Sequence, residues 1–194
     1  MADGALALSA FFVFVRRMKS FLALAFLFFG ISSLTVSAQM EGLTPIEQEV
    51  AAITNKNEVT IVHFWAPWCE NCKAELKNGG WRNFMEVNRE VNVIFVTTWS
   101  DDDGKAELAK TGVTEEPNFK LLHHPNTSRS KAERMNQFFH VPIDWLPTTW
   151  VFKNGELRYA LNYGEVRFSL LQQLVRDANE GWERSGTKNV SEIK

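Results

Sequence analysis

The sequence is poor in cysteine and, beyond its first 38 residues, has no concentration of positive charge. Only two cysteines occur among its 194 residues, and the formal net charge is −2. After residue 38 no basic run or patch is evident, and such a patch is the usual mark of a protein that binds nucleic acid. Nucleic acid is therefore not an expected partner. Internal repeats and linkers are also missing, and 45% hydrophobic residues are typical of an ordinary globular domain.

The N-terminal region has the pattern of a secretory signal peptide. Arg16, Arg17 and Lys19 are basic, residues 21–31 are apolar, and residues 36–38 offer the small side chains of a cleavage site. The apolar run is short for a membrane span, which needs about 20 residues. We expect cleavage after Ala38 and a periplasmic or otherwise extracytoplasmic protein. An uncleaved N-terminal membrane anchor is the alternative, because weakly apolar residues continue to Ala38.

The remaining boundaries follow from this pattern. Residues 1–17 (the first part of the 1–38 signal region) contain a second apolar run that a signal peptide does not need. We interpret them as an over-extended start, with Met18 as the true first residue. Residues 39–194 are expected to form a single domain, in which residues 183–194 are a polar tail. No cysteine lies at the cleavage site, which excludes lipid attachment there.

Both cysteines lie in one segment, residues 61–73, with the sequence IVHFWAPWCENCK. Its first half is apolar and β-branched, which is typical of a buried strand, and its second half indicates a helix that starts at Cys69. Cys72 follows three positions later, so both sulfurs lie on one helical face, near enough for a disulfide. The positive end of the helix dipole favours a thiolate at Cys69. A purely structural disulfide across so short a loop would stabilise little. The pattern therefore predicts a redox-active Cys69–Cys72 dithiol.

This segment resembles the thioredoxin active site, and more closely that of the extracytoplasmic thiol–disulfide oxidoreductases of the TlpA/ResA type. The resemblance rests on C-x-x-C preceded by Trp68, on residues 64–66 (Phe-Trp-Ala), and on residues 146–148 (Leu-Pro-Thr). It covers roughly residues 44–179. It implies an α/β, thioredoxin-like fold, in which a central mixed β-sheet has helices on both faces and the chain carries a central insert.

Hydrophobic periodicity predicts the elements of such a fold. We expect strands at 59–65, 91–96, 119–122, 148–152 and 157–161, and helices at 44–53, 69–76, 81–89, 128–139 and 166–178, with a further helix between Ser100 and Gly112. The acidic residues 101–103 are expected to cap that further helix. A cation site is the alternative interpretation of these three residues.

The resemblance also implies roles for individual residues. Cys69 is expected to attack the substrate disulfide and Cys72 to resolve the mixed disulfide. Pro147 resembles the cis-proline that faces the dithiol in thioredoxins. With Leu146 and Trp68, it is expected to contact the substrate.

Glu70 and Asn71, between the cysteines, are expected to tune the redox potential. A carboxylate beside the nucleophile disfavours the thiolate, which predicts a raised Cys69 pKa and a more reducing pair. Relatives carry Glu-Pro at these positions, so Asn71 is a departure from the family pattern.

His63 lies six positions before the first cysteine, where thioredoxins place a buried Asp that accepts the proton of the buried thiol. Alternation along a strand puts His63 on the opposite face from Val62 and Phe64. The prediction is that His63 accepts the Cys72 proton. A hydrogen-bonded core histidine without a redox role is the alternative.

The leading functional hypothesis is an exported reductase of disulfides in other proteins. It would act as a monomer without a metal or other cofactor, and a membrane electron donor would re-reduce it. Cytochrome c biogenesis is one task that the family implies. A dithiol oxidase or isomerase is one alternative, although oxidants of this fold tend to carry His where this chain has Asn71. A metal-binding carrier module is another, although no His or Met follows Cys72 at motif distance to complete a site.

Overall fold

The computed structural model describes residues 42–162 and 164–180. The expected signal region, its cleavage site and the polar tail at 183–194 lie outside these ranges. Within them, no helix combines the length and the apolar character needed to cross a membrane.

The fold is built on a five-stranded mixed sheet. Its strands are β1 (Thr60–Trp65), β2 (Asn92–Thr97), β3 (Phe119–His123), β6 (Thr148–Lys153) and β7 (Glu156–Leu161), in the order β3-β2-β1-β6-β7. The pairs β1–β2 and β2–β3 are parallel, whereas β1–β6 and β6–β7 are antiparallel. Every residue of β1 is buried, as expected for a central strand that is covered on both faces.

Helices and a small hairpin surround this sheet. The helices are α1 (Pro45–Thr54), α2 (Glu70–Leu76), α3 (Gly80–Val87), α4 (Lys105–Ala109) and α5 (Phe168–Asn179), and short 3₁₀ turns lie at Lys77–Gly79 and Val113–Glu115. The hairpin pairs β4 (Gln137–Phe138) with β5 (Val141–Pro142).

The two faces of the sheet have different coverings. His63 and Phe95 point to one face, where the Trp81 ring of α3 lies 4.6 Å and 5.0 Å from their rings. Phe64 points to the other face and packs against Phe138 of the hairpin at 5.1 Å. The Glu47 side chain of α1 holds this hairpin by accepting a hydrogen bond from the Phe139 N–H. Helices thus lie on both faces, and the predicted thioredoxin-like fold is confirmed.

The helix that carries the dithiol is short for a local reason. α2 ends at Leu76, and Gly79 then adopts a left-handed conformation with φ of 69°. Glycine takes this conformation without steric cost, so the chain can turn and start α3 at Gly80. The predicted separation of a helix at 69–76 from a second helix is confirmed, although the second helix, α3, ends at Val87 rather than Arg89.

Two predicted helical features are wrong. Residues 128–139 do not form a helix, because Phe139 and His140 have φ of 49° and 60° and close the β4–β5 turn. The helix after Ser100 is not capped by an acidic residue, since its N-cap is Gly104. Asp102 and Asp103 instead accept hydrogen bonds from the backbone N–H groups of Gly104 and Lys105.

Candidate active site

The end of β1 and the start of α2 bring the two cysteines together. A turn closed by the Cys69 N–H and the Ala66 carbonyl, 3.0 Å apart, leads from the strand into the helix. Cys69 is the N-cap of α2, and its sulfur accepts a hydrogen bond from the Cys72 N–H at 3.3 Å. A sulfur thus takes the place that a Ser or Asp oxygen usually has at a helix start. Both cysteines are free thiols.

The thiols differ in accessibility. Cys69 is 7% exposed and Cys72 1% exposed. The more exposed thiol is thus Cys69, in agreement with its expected role as the attacking residue. Cys69 is nevertheless largely buried. The cause is the segment before β6: the Cys69 thiol lies 3.7 Å from the Leu146 carbonyl, and Pro147 is buried next to it. The Leu146–Pro147 peptide bond is cis, as the resemblance implies.

Hydrogen bonding lowers the pKa of Cys69 to about 7. The largest cause is the Cys72 thiol, and the backbone N–H groups of Cys72 and Asn71 add to it, while burial and the Glu70 charge oppose it. The Glu70 charge raises the Cys69 pKa, as expected, but the hydrogen bonds outweigh it and the net shift of the pKa is downward. Its carboxylate is 80% exposed and paired with Lys73, which limits its influence.

Cys72 is shifted in the opposite direction. Burial is the first cause that raises its pKa above the usual range, and the neighbouring Cys69 and Glu75 raise it further. Cys69 is therefore the thiol that ionises near neutral pH, whereas Cys72 keeps its proton.

Glu75 is a buried carboxyl group that the sequence interpretation missed. One carboxylate oxygen lies 3.2 Å from the Nε2 atom of His63 and accepts a hydrogen bond from the Trp81 indole at 3.2 Å. The other accepts a hydrogen bond from the Val166 N–H. Burial raises the Glu75 pKa to about 8. Its position three residues after Cys72, on the same helical face, is the signal that could have identified it.

His63 occupies the space behind Glu75. Its side chain is 1% exposed, and its Nδ1 atom lies 2.8 Å from the Thr149 hydroxyl. Burial lowers its pKa to about 3, so the imidazole is neutral. His63 points toward the α2 face of the sheet. Its polar contacts are with Thr149 and Glu75, and it makes no hydrogen bond to Cys72 within the described ranges.

Trp68 forms the outer wall of the site. It is 37% exposed, its indole N–H donates to the Trp99 carbonyl at 2.7 Å, and the Arg129 guanidinium lies 4.0 Å over its ring. A cleft of about 370 Å³ opens beside it between Pro67 and Arg129. Its rim includes Asp101 and Asp102.

The family follows from a comparison of the whole domain. A family model described as a thioredoxin-like domain matches residues 46–179. The chain belongs to the thioredoxin-like family. The sporulation thiol-disulfide oxidoreductase A of Bacillus subtilis (strain 168) is 30% identical over 113 residues, which are 58% of this chain and 64% of the relative. The chain thus spans less than two thirds of the length of that curated relative.

A solved structure supports the same fold. The crystal structure of a thiol:disulfide interchange protein, a thioredoxin family protein from Chlorobium tepidum TLS, aligns with a TM-score of 0.50 and 17% identity. The match covers 66% of this chain and 85% of that chain. At this identity the likeness shows the fold alone.

The thioredoxin-like fold brings most of the predicted site residues to one end of β1. Cys69, Cys72, Leu146 and Pro147 lie together, and Trp68 borders them. Glu70 faces solvent, and His63 lies beneath the dithiol behind Glu75. No group of three His, Cys, Asp or Glu side chains suited to a metal ion is found in the part of the chain that the structure describes.

Proposed function

We propose that this chain is a thiol–disulfide oxidoreductase that reduces disulfides in other extracytoplasmic proteins through Cys69 and Cys72. The observation that carries the proposal is the asymmetry of the dithiol. Cys69 has a pKa of about 7, whereas burial raises that of Cys72, three residues away in the same helix turn. Such a pair supplies one thiolate that can attack a disulfide and one protonated thiol that can resolve the resulting mixed disulfide.

The reaction has two exchange steps. The Cys69 thiolate attacks a client disulfide, forms a mixed disulfide and releases the first client sulfur as a thiolate, which takes up a proton. Cys72 then loses its proton and attacks Cys69, so that the Cys69–Cys72 disulfide forms and the second client sulfur leaves. Two electrons pass from the dithiol to the client.

The direction toward reduction is supported by the Cys69 pKa. Thioredoxin, a reductant, has a nucleophile pKa of about 7, whereas the strong oxidant DsbA has one of about 3.5, because its reduced form is stabilised. Cys69, with a pKa of about 7, agrees with the reductant. This argument favours the reductase over the oxidase or isomerase alternative. Glu70 and Asn71 are proposed to adjust the potential, Glu70 by its charge and Asn71 through its backbone N–H.

Substrate contact is proposed for Trp68, Leu146 and Pro147. The Leu146 carbonyl lies within hydrogen-bond distance of the Cys69 thiol, and the Trp68 side chain beside the site is partly exposed to solvent. An extended client segment that crosses Cys69 would meet both.

The cellular setting is part of the proposal. The basic and apolar N-terminal pattern supports export, either cleaved or anchored, and an exported dithiol needs a membrane electron donor to be used repeatedly. Within the TlpA/ResA type, cytochrome c biogenesis is one setting for such a reductase. We propose that the domain works as a monomer, with protein disulfides as its clients.

A trapping experiment tests the function. Replacing Cys72 with Ser removes the resolving thiol, so clients should accumulate as mixed disulfides on Cys69, and the Cys69→Ser variant is the matched control. Trapping that needed Cys72 instead of Cys69 would reverse the assignment. The reduction potential should lie below about −200 mV, and a value near −120 mV would make the chain an oxidant.

A further inference from the structure

The guanidinium group of Arg129 lies beside the dithiol, stacked on an aromatic ring. Arg129 is exposed, and its guanidinium lies 4.0 Å over the ring of Trp68. Within the described ranges it makes no hydrogen bond and no ion pair. A guanidinium stacked in this way is held by the face of the ring, and the N–H groups at its edge stay available. Arg129 can therefore bind an acceptor that comes from outside the chain.

The wall under this guanidinium is fixed by a series of contacts. The Trp68 indole N–H donates to the Trp99 carbonyl at 2.7 Å, and the Trp99 indole N–H donates to the Met135 carbonyl at 2.7 Å. A second guanidinium, that of Arg134, lies 4.0 Å over the Trp99 ring. Trp99 also has φ of 54°, which is uncommon for a residue other than glycine. These contacts hold the Trp68 ring in place, so binding beside it needs little ordering of the wall.

The stacked guanidinium lies close to the attacking thiol along the chain. Trp68 directly precedes Cys69, so their Cα atoms are about 3.8 Å apart. A client that is joined to Cys69 as a mixed disulfide brings the residues beside its own cysteine within reach of Arg129. The fork of N–H groups on a guanidinium matches the two oxygens of a carboxylate. A client carboxylate is therefore the group that fits this position.

The cleft beside Trp68 restricts where that carboxylate can lie. Its volume is about 370 Å³, and its rim also carries Asp101 and Asp102. Both are exposed, and neither forms an ion pair with Arg129 in the part of the chain that the structure describes. The Asp102 carboxylate accepts a hydrogen bond from the Gly104 N–H at 2.8 Å. The two acidic residues repel a client carboxylate from their part of the rim and leave the Arg129 side as its place.

We propose that Arg129 selects client disulfides in which an acidic residue lies beside the cysteine that Cys69 attacks. This inference rests on the proposed function and names the kind of client that the site prefers. In that exchange step the Cys69 thiolate attacks the client sulfur, the client S–S bond breaks, and its electron pair leaves with the second sulfur. Arg129 forms and breaks no covalent bond, and it holds the client carboxylate by charge-assisted hydrogen bonds. It is a specificity-determining residue.

The test measures the attack of Cys69 on short peptides that contain a single cysteine as its 2-pyridyl mixed disulfide. The residues on both sides of that cysteine are Glu, Gln or Lys. Attack on the peptide sulfur releases neutral 2-thiopyridone, whose absorbance gives the rate constant by stopped flow. Each rate constant is divided by that of 2-mercaptoethanol with the same peptide, which corrects for the reactivity of the peptide itself. The Glu peptide should react about two to five times faster than the Gln peptide, and the Lys peptide should be slowest.

Three variants assign the preference to the stacked guanidinium. Arg129→Gln should bring the rate constant of the Glu peptide down to about that of the Gln peptide. Arg129→Lys keeps the charge without the planar fork and should keep a smaller preference for Glu. Lys131→Gln is the matched control, because Lys131 is exposed in the same segment and loses the same charge. It should leave the preference for the Glu peptide unchanged.

Each outcome decides between the alternatives. Equal rate constants for the Glu and Gln peptides in the unmodified chain would overturn the inference. A faster Lys peptide would also overturn it and would point to Asp101 and Asp102 as the selecting groups. An equal loss of preference in Lys131→Gln and Arg129→Gln would show that net charge is the cause, and not the guanidinium on Trp68. Release of no 2-thiopyridone from any peptide would instead overturn the proposed function.

Discussion

At the scale of single residues, the reactivity of Cys69 depends on the neighbours that donate hydrogen bonds to its sulfur. The Cys72 thiol is the largest cause of the lowered pKa, and the nearby charge of Glu70 is a smaller, opposing one. Sequence reasoning found the Glu70 charge and the helix terminus that favours a thiolate, but it missed the hydrogen bond from the Cys72 thiol, because the composition of a motif does not report which S–H group points at the sulfur.

Substitutions of Cys72 should therefore raise the Cys69 pKa, and the rise should depend on whether the new side chain can still donate a hydrogen bond to the Cys69 sulfur. In Cys72→Ala the largest lowering cause is lost, and the Cys69 pKa should rise from about 7 toward its usual 9. In Cys72→Ser a hydroxyl donor remains, and the rise should be smaller. Ultraviolet absorbance of the thiolate as a function of pH measures both. Equal pKa values in the two variants would show that the side chain at position 72 donates nothing to Cys69.

Charges at the motif should have smaller and opposite effects. Glu70→Gln removes a charge that raises the Cys69 pKa, so the pKa should fall. Lys73→Gln frees Glu70 from its ion pair, so the pKa should rise. Both shifts should shrink at high salt, since exposed charges are screened over about 8 Å at physiological ionic strength. Rates of Cys69 alkylation against pH measure them, and salt-independent shifts would point to a structural change instead.

At the scale of elements, α4 is placed by a close contact with the active-site strand. A Cβ atom at Gly104, whose φ is 78°, would lie 2.5 Å from the ring of Trp65 at the end of β1. Gly104→Ala should therefore destabilise the fold through both backbone strain and overlap, by about 2–4 kcal/mol. Gly164→Ala is the matched control, because Gly164 has φ of 81° with no atom within 4 Å of the added group. Chemical denaturation measures both, and equal losses would mean that Trp65 yields freely.

Elements with strong periodicity were predictable, and those set by long-range contacts were not. The apolar run of β1 predicts a buried strand, and the Asn154-Gly155 step predicts a tight turn between two strands. The structure has both. Residues 128–139 have helical composition, but Phe138 is drawn into the core beside Phe64, and the chain turns there. The helix expected at 166–178 repeats apolar residues at helical spacing, which predicts that Leu170 is buried, but α5 buries Leu171 and leaves Leu170 44% exposed.

In the candidate site too, some residues could be predicted from local sequence and others could not. The cysteines and the proline lie in motifs that neighbouring residues define, so their places follow from the sequence. The spacing from Cys72 puts Glu75 on the dithiol face of α2, but its contact with His63 is a tertiary one that the spacing does not predict. The partner of a buried histidine depends on tertiary contacts, which periodicity alone cannot supply.

At the scale of the whole molecule, the buried pair of His63 and Glu75 makes the free energy of unfolding depend on pH. The folded chain keeps Glu75 protonated to about pH 8, against a usual pKa of 4.5, and keeps His63 neutral to about pH 3, against 6.5. Between pH 4.5 and 6.5 the pair binds one proton in the folded chain, on Glu75, and one in the unfolded chain, on histidine. Over that interval the pair adds no pH dependence to stability.

Outside that interval the stability depends on pH, with opposite signs on the two sides. From pH 6.5 to 8 the folded pair holds one proton and the unfolded pair none, so stability should fall as pH rises, by up to about 1.4 kcal/mol per pH unit. From pH 4.5 down to 3 the unfolded pair holds two protons and the folded pair one, so stability should fall as pH falls. Because the lowered Cys69 pKa gives an opposing trend above pH 7, urea denaturation is best measured with both cysteines replaced by Ser. In that background Glu75→Gln should abolish the fall between pH 6.5 and 8. A fall of the same slope with Gln at position 75 would show that Glu75 is not the group that binds the proton.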